Sequence, residues 1–235
     1  MSLHLCYELA LPAETSREQV LQVLGRLRSR SERIGFDRIT EVRQYEGEAC
    51  EPGQSENFWT DAWWYFRFMG QGHAIDPDTP EHWPSFRPEY IAGFLVFPGR
   101  RCEVAGFGLS YCPDTVTING LARAVHHPGW HWHCCCKTQY ASVVSDEHLL
   151  RCHLGLIELL DAAPELGLGV EVRDETGYHE HRDTARLLEE VRRMNRIIAG
   201  FAGRLADTLE PDGHRTVSPI FDHPEFEHLE GEGQS

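Results

Sequence analysis

The 235-residue chain carries 37 acidic against 22 basic side chains, a formal charge of −15 at neutral pH. A surface for nucleic acid or anionic membrane needs a concentrated basic patch to neutralise phosphates, and here the Lys and Arg are scattered among the acids. No stretch approaches the roughly 20 apolar residues of a bilayer span. The opening residues contain His4 and Glu8 and lack the basic start of a signal peptide, so a soluble, cytoplasmic protein is expected.

The hydrophobic fraction of 41% and charged fraction of 25% are those of a globular domain. Eight cysteines in this length fall well below the density of a secreted disulfide scaffold. Cys134, Cys135 and Cys136 are consecutive and no Cys-x-x-Cys pair occurs, which predicts reduced thiols rather than a zinc ribbon or a disulfide framework.

Leu3 to Leu11 alternates with period two and reads as a strand, Leu5, Tyr7 and Leu9 on one face and His4, Cys6 and Glu8 on the other. Thr15-Ser16-Arg17-Glu18 has the form of a capping box. It opens a helix that buries Val20, Leu21, Val23, Leu24 and Leu27 and ends near Gly35. Residues 36–45 read as a second strand, giving a β-α-β opening. The aromatic run Phe58–Phe68 is typical of a strand. Gly70 to Pro88, with Pro77, Pro80, Pro84 and Pro88, reads as a long loop of the kind that lines a site.

Tyr90–Phe97 and Cys102–Tyr111 predict a hairpin turning at Pro98-Gly99. Gly106-Phe107-Gly108 lacks the third glycine and the strand–turn–helix context of a dinucleotide fingerprint. An irregular segment then leads to a strand at Trp130–Ala141. Ser145 caps a helix with Leu149, Leu150, Leu154, Leu156, Ile157 and Leu160 on its apolar face, stopped by Pro164 and Gly167. Val170–Arg173 reads as a short strand. A helix of about six turns starts at Asp183 or Thr184 and carries Leu187, Leu188, Val191, Met194, Ile198, Phe201 and Leu205.

This pattern predicts an α+β domain over residues 1–210: an antiparallel or mixed sheet with about three helices packed on it, with two β-α-β-like halves as a further option. Residues 211–235 are rich in Pro, Gly and acid and predict a poorly ordered acidic tail.

One passage carries unusual chemistry. On a strand, Trp130, Trp132, Cys134 and Cys136 share a core-like face, leaving His131, His133, Cys135, Lys137 and Gln139 together on the other. His131 and His133, about 6.6 Å apart along the strand, can lean onto one metal ion, zinc being the natural candidate. Cys135 lies about 13 Å from His131, so a further ligand must come from a neighbouring element. His4, Cys6, Glu8, His153, His179 and His181 qualify by type.

Cys135 is alternatively a catalytic nucleophile, with Lys137 lowering its pKa and His133 as base. Lys137, Gln139 and Arg173 are candidates for holding an anionic ligand, and Trp63 and Tyr65 for lining a ligand cleft. Against each stands a structural role: solvated strand residues, buried cysteines, and aromatics packed beneath a loop. Two functions fit these residues. One is a module that binds a small molecule or a protein partner; the other is a zinc- or thiol-dependent enzyme centred on the strand 130–141.

Overall fold

The computed structural model describes residues 3–53, 61–77, 83–209 and 218–233. Its first strand, β1 (Leu5–Leu11), keeps the expected alternation, with Leu5, Tyr7 and Leu9 buried and Cys6, Glu8 and Ala10 half-buried. Helix α1 (Arg17–Ile34) follows, and its capping box sits one residue later than the sequence suggested. Ser16 Oγ accepts from the Gln19 N–H at 3.2 Å while Gln19 Oε1 accepts from the Ser16 N–H at 2.9 Å. Ser16→Ala is therefore expected to cost about 1 kcal/mol in urea unfolding, and Thr15→Ala only a few tenths. Gly35, at φ +85°, ends the helix in the left-handed conformation.

The expected second strand is two short ones, β2 (Arg38–Ile39) and β3 (Arg43–Glu46). Both pair antiparallel with β6 (Tyr90–Phe97), far from β1, so the opening is not a simple β-α-β unit. The aromatic run is a helix, α2 (Ala62–Met69), while Phe58, Trp59 and Thr60 lie outside the described residues. Asp61 caps it by accepting from the N–H groups of Trp63 and Trp64, each at 3.0 Å. Helical spacing then stacks Trp64 on Phe68 and sets Trp63 edge-on to Phe66. An aromatic run satisfies strand propensity, but the aspartate cap and these i,i+3 and i,i+4 ring pairs make the helix the better solution.

Phe66 anchors α2 to the sheet over a window of glycines. An ideal Cβ on Gly93 would lie 2.5 Å from Phe66 Cζ, and one on Gly108 2.8 Å from it, so only glycine allows the ring this close. Within the stretch expected as one loop, β4 (Gly72–His73) pairs with β5 (Ser85–Phe86); residues 78–82 are outside the described set.

The hairpin of β6 and β7 (Ala105–Cys112) forms as expected. The segment read as irregular contains a second hairpin, β8 (Thr115–Ile118) and β9 (Leu121–Ala124). Its turn is Asn119-Gly120, with φ +52° and +80°, the pair best suited to a two-residue connection. Strand β10 (Gly129–Cys136) stops five residues before the expected end, and Gln139–Val143 is a 3-10 turn. Gln139 is buried there, accepting from Leu3 N–H at 2.9 Å and donating to Asn195 Oδ1 at 2.8 Å, which draws the chain out of the sheet.

Helix α3 (Asp146–Ala162), capped by Ser145, leads to β11 (Gly169–Asp174). The sheet order is β11-β1-β10-β7-β6-β2 with β3 also on β6, and every recorded pairing is antiparallel. Because β10 and β11 both run antiparallel to β1, they run parallel to each other and are joined across β1 by α3. Short α4 (Tyr178–His181) precedes the long α5 (Thr184–Leu209). Leu187, Val191 and Ile198 are buried on α5 as expected, whereas Phe201 is 63% exposed.

Within the stretch expected as a poorly ordered acidic tail, the structure describes residues 218–233. A 3-10 turn at Pro219–Asp222 and helix α6 (Phe226–Gly233) bury Ile220 and Leu229 against Ile198, Ala199 and Ala202 of α5. The protein is thus an α+β fold with six α-helices among the described residues. None of these helices is long and apolar enough to cross a membrane.

Candidate functional site

Antiparallel register decides which side chains meet beside β10. Cys6 stands opposite Cys135, Glu8 opposite His133 and Ala10 opposite His131 on one side. On the other side Ser110 of β7 stands opposite His131. Residues facing one another across antiparallel strands share a face, so Cys6, Glu8, Ser110, His131, His133 and Cys135 form one polar surface. The alternate residues Trp130, Trp132, Cys134 and Cys136 are buried. The sheet is parted beside this surface. Tyr7 Oη and Trp132 Nε1 both donate to Gly106 O, at 2.9 and 2.7 Å, and the Gly106 N–H reaches Cys134 Sγ at 3.4 Å.

The chain turns into β10 at Gly129, φ +80°, and so folds the preceding histidines back over the strand. His127 stacks on His131 with ring centroids 3.9 Å apart and planes 5° from parallel. His126 packs edge-on to His127 and beside Trp83. The result is a cleft of about 770 Å³. His73, His126, His127, His131, His133 and Glu8 line it, and Phe68, Met69 and Trp83 add apolar wall. Ser110, 4% exposed, also lines the cleft, and its Oγ has no hydrogen-bond partner among the described residues. An unpaired buried hydroxyl costs on the order of 1–3 kcal/mol, so a group in the cleft that bonds to it gains directly.

Within this cleft one ligand atom each from Glu8, His127 and His131 lies within 4.8 Å of the other two. Glu8 Oε2 and His131 Nε2 are 3.1 Å apart. Three N/O ligands of a tetrahedral zinc stand about 3.3 Å from one another, and because the His127 and His131 rings are stacked in nearly parallel planes, one of them must turn out of the stack to aim its nitrogen at a shared ion. Burial, reinforced by the rings of His131 and His126, lowers His127 to a pKa of about 4. Burial also lowers His131, against the opposing pull of Glu8. Burial pushes Glu8 up, but its hydrogen bond to His131 and the surrounding imidazoles bring it below the usual glutamate value. At neutral pH the group holds two neutral imidazoles and a carboxylate, the protonation state that metal ligands need.

A second group, Cys6, His133 and Cys135, adjoins the first along the strands. Cys6 and Cys135 are joined by a disulfide, and the other six cysteines are free, so the expectation of reduced thiols fails at this pair. The physical reason is register: residues 129 apart in sequence are direct cross-strand neighbours. Bonded to Cys6, Cys135 carries no thiol to act as the expected nucleophile.

The remaining candidates fall elsewhere. Lys137 pairs with Glu103 at 3.3 Å, beyond the end of β10. Gln139 is committed to its buried hydrogen bonds. Arg173, on β11, is 82% exposed and 3.9 Å from Glu175. Trp63 packs against Tyr45 and Phe66 beneath the Arg43 guanidinium, and Tyr65 is half-buried with its phenol pushed up to about 12 by burial. Of the residues considered by type, Cys6 and Glu8 join the site. His153 does not: it is buried, bonded to Thr138 and Asp174. His4 pairs with Glu175, and His179 and His181 lie on α4.

Sequence reasoning passed over His73, His126, His127 and Ser110. The available signal was density: His126, His127, His131 and His133 put four imidazoles into eight residues. Comparison with family models, with curated proteins and with solved structures gave no match.

Proposed function

We propose that this protein is a metal-dependent binder of a small molecule, holding a divalent ion, zinc in the first instance, between Glu8, His127 and His131. The observation that carries the reading is the meeting of these three ligand atoms in a cleft whose buried Ser110 hydroxyl lacks a partner. Three protein ligands leave a zinc ion an open coordination position, which a donor atom of the bound molecule fills. The apolar wall of Phe68, Met69 and Trp83 then takes the rest of the ligand, and Ser110 Oγ fixes its orientation. The net charge of −15 supports a small molecule over a nucleic acid. Six free cysteines accord with a reducing setting, in which the Cys6–Cys135 disulfide would stand open to reduction.

A second reading, a zinc-dependent hydrolase, is favoured by His73 and Glu51, which line the same cleft. His73 is lowered by burial and by the neighbouring His126, His133 and His131, and so stands neutral at pH 7 as a base for a metal-bound water.

Untagged, chelator-stripped protein titrated with zinc in calorimetry, without reductant, tests the metal site. One equivalent is expected to bind, and His131→Ala or His127→Ala to weaken it by at least ~100-fold, since even the outer partners of ligands are worth 10–100-fold. His181→Ala, exposed on α4, serves as the control and retains it. Equal zinc affinity in the wild type and the His127→Ala/His131→Ala double variant sinks the proposal.

A further inference from the structure

We propose that Cys6, His133 and Cys135 form a second, thiolate-bearing metal site that exists only when the Cys6–Cys135 disulfide is reduced, so that the redox state of this pair gates zinc. The site uses none of the ligands of Glu8, His127 and His131 and stands or falls separately from that reading.

Backbone pairing holds the two sulfurs together. Cys6 and Cys135 are opposed in a β1–β10 ladder of seven registered positions, from Leu5–Cys136 to Leu11–Trp130. On the far side β1 is also paired to β11 over six positions. The backbone therefore fixes the pair whether or not the S–S bond is present. Opposed residues keep their Cβ atoms about 4.5–5.5 Å apart, close enough for both thiolates to reach one ion after reduction.

The third ligand is already in place. His133 precedes Cys135 by two residues on the same face of β10, and its Nε2 lies 3.7 Å from Cys135 Sγ. With Zn–S near 2.3 Å and Zn–N near 2.05 Å, sulfur and nitrogen on one tetrahedral zinc stand about 3.6 Å apart. One ligand atom of each residue lies within 4.8 Å of the other two.

Two thiolates and an imidazole are a soft set, suited to zinc over magnesium or calcium. Arg173 stands opposite Cys6 in the β1–β11 ladder on the same face, with its exposed guanidinium 3.9 Å from Glu175. His133 is exposed and Cys6 and Cys135 are half-buried, so ion and oxidant have access. The strand alternation also explains the Cys134-Cys135-Cys136 triplet: the outer two point into the core and only the middle one joins the site.

The gating step balances with a small disulfide as oxidant. One zinc-bound thiolate attacks a sulfur of glutathione disulfide, forming a mixed disulfide and expelling one glutathione thiolate. The second cysteine thiolate then attacks the protein sulfur of that mixed disulfide and expels the other. The S–S bond of the oxidant breaks and the Cys6–Cys135 bond forms. Two electrons pass from the cysteines to glutathione, whose thiolates take up solvent protons, and zinc leaves as its sulfur ligands vanish.

The test uses the full-length His127→Ala/His131→Ala double variant, so that the first site is silent. Cobalt added to the reduced protein is expected to give the near-ultraviolet thiolate-to-cobalt absorption at one equivalent, and none with the oxidised protein. Zinc should bind the reduced protein at one equivalent. Glutathione disulfide should then release it with two glutathione thiols formed per zinc. Adding Cys135→Ser or Cys6→Ser to the double variant should abolish both signals, and adding His133→Ala should weaken binding at least tenfold. Equal metal uptake by oxidised and reduced protein overturns the proposal, a comparison that requires no cysteine variant to fold. So does uptake unchanged by Cys135→Ser, which would place the metal on another cysteine pair.

Discussion

Gly93→Ala is expected to destabilise the protein by about 3 kcal/mol or more, the upper end of what overpacking costs. An ideal Cβ at this position would lie 2.3 Å from Phe107 O, 2.5 Å from Phe66 Cζ and 2.6 Å from Gly108 Cα. Two of these three neighbours are backbone of β7, paired to β6 over seven positions, so they cannot swing aside as a side chain would. Either the hairpin parts or Phe66 rises, and with Phe66 goes α2, whose last residues Phe68 and Met69 wall the cleft. Gly25→Ala is the informative partner measurement. A Cβ there meets nothing within 4 Å, so in mid-helix it should stabilise by about 0.5–1 kcal/mol. Urea midpoints that move the same way in both variants, or a Gly93→Ala cost under about 1 kcal/mol, would show that α2 does not depend on the glycine window.

The elements legible in the sequence are those whose signal is local. β1, α1, β6, β7, α3 and α5 each combine a clear period with a cap or turn at the end, and each forms close to its expected bounds. α2 was not legible as a helix because Trp, Tyr and Phe fit a strand equally well by propensity. The deciding feature was the Asp61 cap. The β8–β9 hairpin was missed despite Asn119-Gly120, since its strands are only four residues long and half exposed. The early end of β10 could not be read locally at all. Thr138 and Gln139 leave the sheet for partners on α3, α5 and the N-terminal segment.

The site divides along the same line. Strand alternation placed His131, His133 and Cys135 on one face without any knowledge of neighbours. Which residues would complete that face was a question of register, and register between β1 and β10 joins positions about half the chain apart. Composition could nominate Cys6 and Glu8 by type but could not set them opposite Cys135 and His133. Lys137, Gln139, Trp63 and Tyr65 rest on a longer β10 and an aromatic strand, whereas Arg173 lies on its expected strand but at an exposed position. The positions of Lys137, Gln139, Trp63 and Tyr65 follow from the elements that form instead, the 3-10 turn after β10 and helix α2.

Asp174→Asn is expected to cost about 3 kcal/mol at neutral pH and to flatten the acid limb of the stability curve. Asp174 is fully buried and serves four donors. Thr176 N–H and His179 N–H donate at 2.9 and 3.0 Å, Thr176 Oγ1 at 2.8 Å, and His153 Nε2 lies 3.2 Å away. His153, itself buried, is held from its other side by Thr138 Oγ1 at 2.8 Å. The cluster ties the end of β11 to α3 and to the turn after β10. An amide offers one acceptor oxygen where the carboxylate offers two, so at least one buried donor loses its partner, and breaking such a pair from one side is costly.

Burial alone would raise the Asp174 pKa. The His153 ring and the backbone N–H groups of Thr176 and His179 more than offset it, bringing the carboxyl from 3.8 down to about 2. A depressed folded-state value means the carboxylate's contribution is complete above the unfolded value and disappears as pH falls through the folded one. The wild type should therefore lose on the order of 2 kcal/mol from this group between about pH 4 and pH 2. Glu8 and Glu175 are also lowered and add to the acid limb, so the quantity to measure is the difference between wild type and variant. Urea midpoints taken from pH 6 downward should converge as the wild type loses stability and Asp174→Asn, with no proton to bind there, loses less. If the two curves fall in parallel, the buried carboxylate is not the ionised hub of this cluster, and its hold on β11 comes from packing alone.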